Sequence, residues 1–173
     1  PFEEGLMKDR YRKRGSLRSF IEPFQKRREE IVKKISAVKA ILDRKNVIVV
    51  DDSIVRGTSS LIIADILKKR GAKKISFVIT FPPIRYPCYA GIDFPTQEEL
   101  IAYRFCKDKN DLNYINEMVA FALNIDFVGY NDIEGLSKSI GLPSNEFCFS
   151  CVTGDYSCLK CTPKFRSREE MKG

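Results

Sequence analysis

The chain of 173 residues contains no histidine. Ser–His and Cys–His nucleophile pairs, and metal sites built on imidazole, are therefore excluded within it. Hydrophobic residues make up 43%, yet no stretch approaches the roughly 20 consecutive apolar residues that a membrane-spanning helix needs. No basic-then-apolar signal pattern opens the chain. It starts Pro1-Phe2-Glu3-Glu4-Gly5 rather than with methionine, which reads as a cut, a processed end or an incomplete chain. Internal repeats and low-complexity tracts are also lacking. The length suits one domain with a real core.

Charge of one sign is scarce only in places. Pro1 to Lys45 holds 14 Lys and Arg against 7 Asp and Glu, whereas the remainder holds 16 against 16. The whole excess of +7 thus sits in the first quarter. Such a segment attracts a polyanion (nucleic acid, a membrane surface or a multiply phosphorylated metabolite) or forms a solvated helix face.

Four of the six cysteines form two pairs, Cys148-Phe149-Ser150-Cys151 and Cys158-Leu159-Lys160-Cys161. In an intracellular protein this spacing points to metal more than to disulfides. Read locally, the four thiols suffice for a tetrahedral zinc site, with a turn at Thr153-Gly154-Asp155 bringing the pairs together. Cys106 fits neither pair and reads as a small buried apolar residue.

Along the chain, Pro1 to Arg18 reads as a mobile loop, broken by Gly5 and Gly15. A helix is expected from Phe24, with Ile31, Ile35 and Val38 at helical spacing. Val47-Ile48-Val49-Val50 is a continuous apolar run, as a buried parallel strand requires. Asp51 to Thr58 is a loop. Leu61 to Lys69 is an amphipathic helix, with Leu61, Ile62, Ala64, Ile66 and Leu67 inward and Gly71 as its stop. Ile75 to Ile79 is the next strand, completing a βαβ unit and hence a parallel sheet. Phe81 to Pro95, with four prolines, is an ordered loop. Thr96-Gln97-Glu98-Glu99 reads as a capping box opening a short helix. A helix over Leu112 to Leu123, a strand over Phe127 to Tyr130 and a helix capped at Asn131-Asp132 and ended by Gly141 follow. A frayed charged tail begins at Lys164.

The richest stretch is Val47-Ile48-Val49-Val50-Asp51-Asp52-Ser53-Ile54-Val55-Arg56-Gly57-Thr58-Ser59-Ser60. A strand ends in two carboxylates, and a short loop with glycine and hydroxyls leads into a helix. Gly57 lets backbone approach a phosphate. Thr58, Ser59 and Ser60 set hydroxyls beside free N–H groups at a helix N-terminus, where the dipole favours an anion. Asp51 and Asp52 can accept bonds from adjacent ribose hydroxyls or hold Mg²⁺. The site also lies beyond the carboxyl end of a parallel strand, where such sheets bind ligands. An isolated Asp-Asp merely caps a turn, but the whole run favours a sugar-phosphate ligand.

The run resembles the PRPP (phosphoribosyl pyrophosphate) signature of type I phosphoribosyltransferases, in the Val-Asp-Asp-Ser-Ile-Val-Arg-Gly-Thr version found in amidophosphoribosyltransferases. Pro82-Pro83-Ile84-Arg85-Tyr86-Pro87, Tyr89-Ala90-Gly91-Ile92-Asp93 and Glu98-Glu99-Leu100-Ile101-Ala102 are similar to the segment that follows the signature in that family. Gly5-Leu6-Met7-Lys8-Asp9-Arg10-Tyr11 and Phe20-Ile21-Glu22-Pro23 resemble its flexible loop over PRPP, although Tyr11 and Phe20 lie farther apart here than in the family loop. Cys148 to Tyr156 resembles its C-terminal Cys-x-x-Cys segment.

The resemblance implies an α/β fold: part of a parallel-sheet type I phosphoribosyltransferase domain over residues 1–145, with a flexible loop over 1–23 and the signature over 47–60. A helical and Cys-rich segment follows over 146–173. It implies that ammonia displaces pyrophosphate from PRPP, giving 5-phosphoribosylamine. Asp51 and Asp52 would bind the ribose diol and Mg²⁺, and Arg56, Gly57, Thr58, Ser59 and Ser60 would hold the 5′-phosphate, with Ser53 a further PRPP-binding residue. Lys8, Arg10 and Tyr11 would close over the pyrophosphate side as the catalytic loop. It also implies a [4Fe–4S] cluster on Cys88, Cys148 and Cys151, with a fourth ligand upstream of Pro1. This reading is favoured over zinc at Cys148, Cys151, Cys158 and Cys161 because Cys88 lies inside a matched motif.

Expected partners are a glutaminase domain or subunit supplying ammonia and further copies of the chain, with no nucleic acid and no membrane; the expected location is cytoplasmic. Two other readings are a non-catalytic PRPP-binding regulator, which a linked glutaminase would exclude, and a zinc-stabilised nucleic-acid binder. The latter predicts steeply salt-dependent affinity and leaves the signature unexplained.

Overall fold

The structure, a computed structural model, describes residues 3–8, 35–89, 96–107 and 109–159. At its centre three strands, β3 (Asn46–Asp51), β4 (Lys74–Ile79) and β5 (Phe127–Tyr130), pair in parallel in that spatial order. Val47 stands opposite Ile75, Asp51 opposite Ile79, and Ile79 opposite Tyr130. The crossover from β3 to β4 is α2 (Thr58–Lys69). That from β4 to β5 carries α3 (Ile101–Phe105) and α4 (Leu112–Ala122). The expected βαβ unit is present, and α2 begins at Thr58, three residues before the apolar stripe starts.

The helices fill one face of the sheet. Phe77, Leu67, Val119 and Val128 are fully buried there, with Val47, Val49, Ile75, Ile79, Ile101, Ile115, Leu123 and Tyr130 around them. Each large apolar side chain so removed from water contributes about 1.5–3 kcal/mol. Asp111 caps α4 by accepting from the N–H of Tyr114 (2.8 Å), and Lys68 donates to the carbonyl of Asn124, tying α2 to the end of α4. Asp132 caps α5 (Ile133–Ile140) by accepting from the N–H of Gly135, and Gly141 ends it in the left-handed region, as expected.

Three expectations change. The apolar run of β3 is not buried on both sides. It alternates, with Ile48 and Val50 67% and 68% exposed, and Val78 and Phe127 beside them are 39% and 51% exposed. A continuous apolar run satisfies a two-sided strand, but the described residues cover only one side of this one. Second, Ile35–Ala37 is a strand, β2, not the end of a helix, and it pairs antiparallel with β1 (Leu6–Lys8). Ile35 and Ala37 turn inward two residues apart with Ser36 exposed, a period-2 pattern that the i, i+3 spacing of Ile35 and Val38 concealed. Val38 then precedes a single turn of helix, α1 (Lys39–Leu42), with extended backbone. Residues 24–34 lie outside the described residues. Third, Leu6–Lys8 forms that strand within what the sequence suggested was a loop. Among the described residues no helix is long and apolar enough to cross a membrane.

Candidate functional site

Asp51 is the last residue of β3, and its carbonyl and that of Asp52 accept from the N–H groups of Thr80 and Phe81, each at 3.0 Å. The backbone of the acidic pair is thereby fixed to the chain leaving β4. The carboxylates organise the turn itself: Asp51 accepts from the N–H of Asp52 (3.0 Å) and Asp52 from that of Ser53 (2.8 Å). Burial raises the Asp51 pKa above its ordinary value, and the neighbouring Asp52 adds to the rise despite the backbone hydrogen bond that opposes it. A half-buried acid held up in this way gains from any cation placed beside it, which favours its charged form.

The loop then dips into the core. Ile54 is 2% exposed, and the carbonyl of Val55 accepts from the N–H of Ile101 (2.9 Å). Gly57 sits in the left-handed region at φ +77°, and a Cβ there would meet Ile101 Cδ1 at 2.5 Å. Glycine is thus required twice, for conformation and for space. Gly57 is also the N-cap of α2, so no side chain at that position closes the helix end, and no acidic residue lies in the first turn. The positive end of the dipole is left without an anion from either source. Thr58 is half-buried, Ser59 exposed and Ser60 buried. Lys68 and Lys69 complement the other end.

Arg56 does not stand free. Its Nε lies 2.6 Å from Glu99 Oε2, with the Arg56 side chain 23% exposed. This pair explains why the capping box fails. With its carboxylate engaged by Arg56, Glu99 does not reach back to Thr96; Thr96 makes no side-chain cap bond, and Gln97–Glu99 forms a single 3₁₀ turn before α3. Sequence reasoning gave Glu99 no site role, because 43 residues separate it from Arg56 and no local pattern links them.

Arg85 is a second residue whose part was not foreseen. Only 6% exposed, it donates to Asn110 Oδ1 and to the carbonyls of Cys106 (2.8 Å) and Lys107 (3.1 Å), while its Nε finds no partner. It pins the proline-rich loop to the connection between α3 and α4. Cys106 is buried as expected, and burial raises its thiol pKa.

The Cys-rich segment is clasped to the same loop. The carbonyl of Cys151 accepts from the N–H groups of Arg85 and Tyr86, both at 2.9 Å, and Tyr156 Oη donates to the carbonyl of Pro87 (2.7 Å). The Tyr89 and Tyr156 rings stand 4.9 Å apart. Burial pushes the Cys151 thiol up to about 11, with the sulfurs of Cys88 and Cys148 adding to the effect. Hydrogen bonds from Ser150 lower the Cys148 thiol. Cys148 Sγ lies 3.6 Å from Cys158 Sγ. Among the described residues, no three Cys, Asp or Glu side chains gather closely enough to hold one metal ion. Lys8 lies in β1, while Arg10, Tyr11 and Cys161 lie outside the described residues.

A parallel βαβ unit that ends its first strand in adjacent acids, and opens its helix on a glycine beside hydroxyls, has the architecture of the type I phosphoribosyltransferase fold. Comparison with known proteins narrows this. The chain is 44% identical over 170 residues to an amidophosphoribosyltransferase of Methanocaldococcus jannaschii, covering 98% of this chain and 33% of the relative. It is 39% identical to that of Bacillus subtilis, covering 90% of this chain and 31% of the relative. The solved B. subtilis glutamine PRPP amidotransferase, in complex with ADP and GMP, superposes with a TM-score of 0.69 at 39% identity, covering 91% of this chain and 33% of that one. No protein-family model matches the chain. The chain is therefore a homologue of the amidophosphoribosyltransferases over nearly its whole length, and it spans about a third of the length of these relatives.

Proposed function

We propose that this chain carries the PRPP-binding half of an amidophosphoribosyltransferase active site. Residues 1–145 are the C-terminal portion of the transferase domain and 146–173 a Cys-rich appendix to it. The reaction is attack of ammonia on C1 of PRPP. The C1–N bond forms, the bond from C1 to the pyrophosphate oxygen breaks, a proton leaves the nitrogen, and 5-phosphoribosylamine and pyrophosphate result, as in the first committed step of purine synthesis. The observation that carries this reading is the loop from β3 to α2: two adjacent carboxylates at the strand's end, followed after a short loop by a helix N-terminus that has no side-chain cap.

Asp51 and Asp52 accept from the ribose hydroxyls. Gly57, Thr58, Ser59 and Ser60 receive the 5′-phosphate on backbone N–H groups and hydroxyls, with the helix dipole favouring the anion. Ser53 lines the turn between them, and Arg56, oriented by Glu99, supplies positive charge. Lys8, Arg10 and Tyr11 close over the pyrophosphate side. The burial-raised Asp51 beside Asp52 fits a divalent cation, so these two carboxylates would hold Mg²⁺, which when bound offsets the charge building on pyrophosphate. The ammonia comes from a glutaminase domain or subunit. The assembly is a cytoplasmic homo-oligomer.

The test is calorimetric titration of PRPP, with and without Mg²⁺, into the full protein containing this chain, paired with an assay of ammonia-dependent pyrophosphate release. Mg²⁺-dependent binding with turnover is expected. Binding without turnover would favour a non-catalytic regulator, and no binding at all would refute the site.

Cys88, Cys148 and Cys151 would also hold a [4Fe–4S] cluster, as the resemblance to the family implies. They come from two segments about 60 residues apart, and the Cys88 and Cys148 sulfurs both act on the Cys151 thiol. A cluster spreads its thiolates over separate irons. Its fourth thiolate would come from upstream of Pro1, as in the family, or from Cys158 or Cys161. Such a group, when bound, would staple the C-terminal segment to the loop after β4. Iron, sulfide and zinc analysis of anaerobically purified full-length protein checks this. Cys88→Ser should remove the iron and Cys161→Ser should not. Stoichiometric zinc insensitive to Cys88→Ser would decide for the Cys₄ zinc site instead.

A further inference from the structure

The turn after α6 (Ser150–Thr153) brings together two sulfurs that no motif pairs. Gly154 ends α6 in the left-handed region, packed so closely on Tyr86 that a Cβ would meet the ring at 2.9 Å. The chain then reverses through two side-chain-to-backbone bonds. Thr153 Oγ1 accepts from the N–H of Asp155 (3.1 Å), and Asp155 Oδ1 from that of Ser157 (2.8 Å). The Ser157 hydroxyl donates to the other Asp155 oxygen (3.0 Å). Tyr156, between them, is anchored on Pro87. Such local bonds specify a turn well. The result is that Cys158 returns to Cys148, with Sγ atoms 3.6 Å apart and the buried Ser150 Oγ within 3.4 and 3.2 Å of the two sulfurs. Both cysteines are exposed, whereas Cys151, closer in sequence to Cys148, is half-buried.

We propose that Cys148 and Cys158 form a reversible disulfide, making this turn an oxidation site. Closing from 3.6 Å to the roughly 2.05 Å of a disulfide shortens the Sγ–Sγ distance by about 1.5 Å. The oxidant is a low-molecular-weight disulfide of the glutathione class. One protein thiolate attacks its S–S bond, giving a mixed disulfide and one released thiolate. The second protein thiol then attacks the mixed disulfide and releases the other. Two protein thiols are oxidised, one small disulfide is reduced to two thiols, and the two protons pass from the protein to the products. The pair lies outside the acidic turn and α2, so it stands whether or not the phosphoribosyl reading does. Cys148 cannot be bonded to Cys158 and ligate a cluster at the same time, so oxidation and metal occupancy exclude one another there.

The experiment is treatment of the full chain with oxidised glutathione, alkylation of the remaining thiols, trypsin digestion without reductant and mass analysis. Residues 139–160 contain Cys148, Cys151 and Cys158 between Lys138 and Lys160, so the bond falls within one fragment. The fragment should lose two alkylation sites and the mass of two hydrogens, and reductant should restore both. Cys151→Ser should keep the bond. Cys158→Ser, an exposed change that leaves the core untouched, should abolish it. A bond lost in Cys151→Ser, a bond that persists in Cys158→Ser, a cross-link to the fragment bearing Cys161, or no oxidation at all would each overturn the proposal.

Discussion

Asp51→Asn and Asp52→Asn, each made in an assembly containing this chain, are expected to lower ammonia-dependent pyrophosphate release by at least about a hundredfold. Each factor of ten corresponds to roughly 1.4 kcal/mol of barrier, and charge stabilisation at a site of this kind is worth several kcal/mol. The fold should not notice. The bonds that fix this turn to the chain beyond β4 come from the backbone carbonyls of both residues. The side-chain bonds to the N–H groups of Asp52 and Ser53 need only an acceptor oxygen, which asparagine keeps. Circular dichroism and the unfolding midpoint are therefore expected to match the parent. Full turnover in the double variant would show that these carboxylates do not hold the substrate or its cation.

Gly57→Val is expected to cost about 2–5 kcal/mol, read as a shift in the denaturant midpoint. Two penalties add. A side chain at φ +77° costs roughly 1–2 kcal/mol. The new Cβ also meets Ile101 Cδ1 at 2.5 Å and Leu123 Cδ2 at 3.3 Å, in a buried region where overpacking costs about 1–3 kcal/mol. The partition is testable. Combining Gly57→Ala with Ile101→Val removes the nearest atom and should recover the overlap part but not the conformational part. An unchanged midpoint in Gly57→Val would mean that the loop adopts another conformation in solution.

Where a local rule decides the outcome, the chain was legible. Phe127–Tyr130 is a four-residue strand between clear turn signals, and it forms as expected. Asp132 caps α5, and Gly141 ends it, by rules that involve only near neighbours. The acidic pair at the end of β3 was found because a strand, a glycine and a helix start in sequence fix one another. Legibility failed where distant residues compete for the same group. Thr96 and Glu99 satisfy the capping-box pattern, but Arg56 takes the Glu99 carboxylate from 43 residues away. Nothing in the neighbourhood of Arg85 says that its guanidinium is buried on two carbonyls and Asn110. Ile35 and Val38 keep helical spacing, yet Leu6–Lys8 offers Ile35–Ala37 a strand partner, and pairing wins over periodicity. The approach of Cys158 to Cys148 follows the turn expected at Thr153-Gly154-Asp155; the spacing of the pairs did not say which thiols that turn brings together.

The side of the sheet bearing Ile48, Val50, Val78 and Phe127 has a consequence for handling the molecule. Among the described strands β3 is also an edge, so apolar side chains and unpaired backbone groups occur on one strand. That combination templates edge-to-edge association. No lysine, proline or bulge within Asn46–Asp51 guards against it; Asp51, at the strand's end, supplies its one charge. Produced alone at high concentration, the polypeptide should tend towards inclusion bodies and chaperone capture. Because Asp51 closes that same strand, misassociation there would strike the acidic pair before it touched the core.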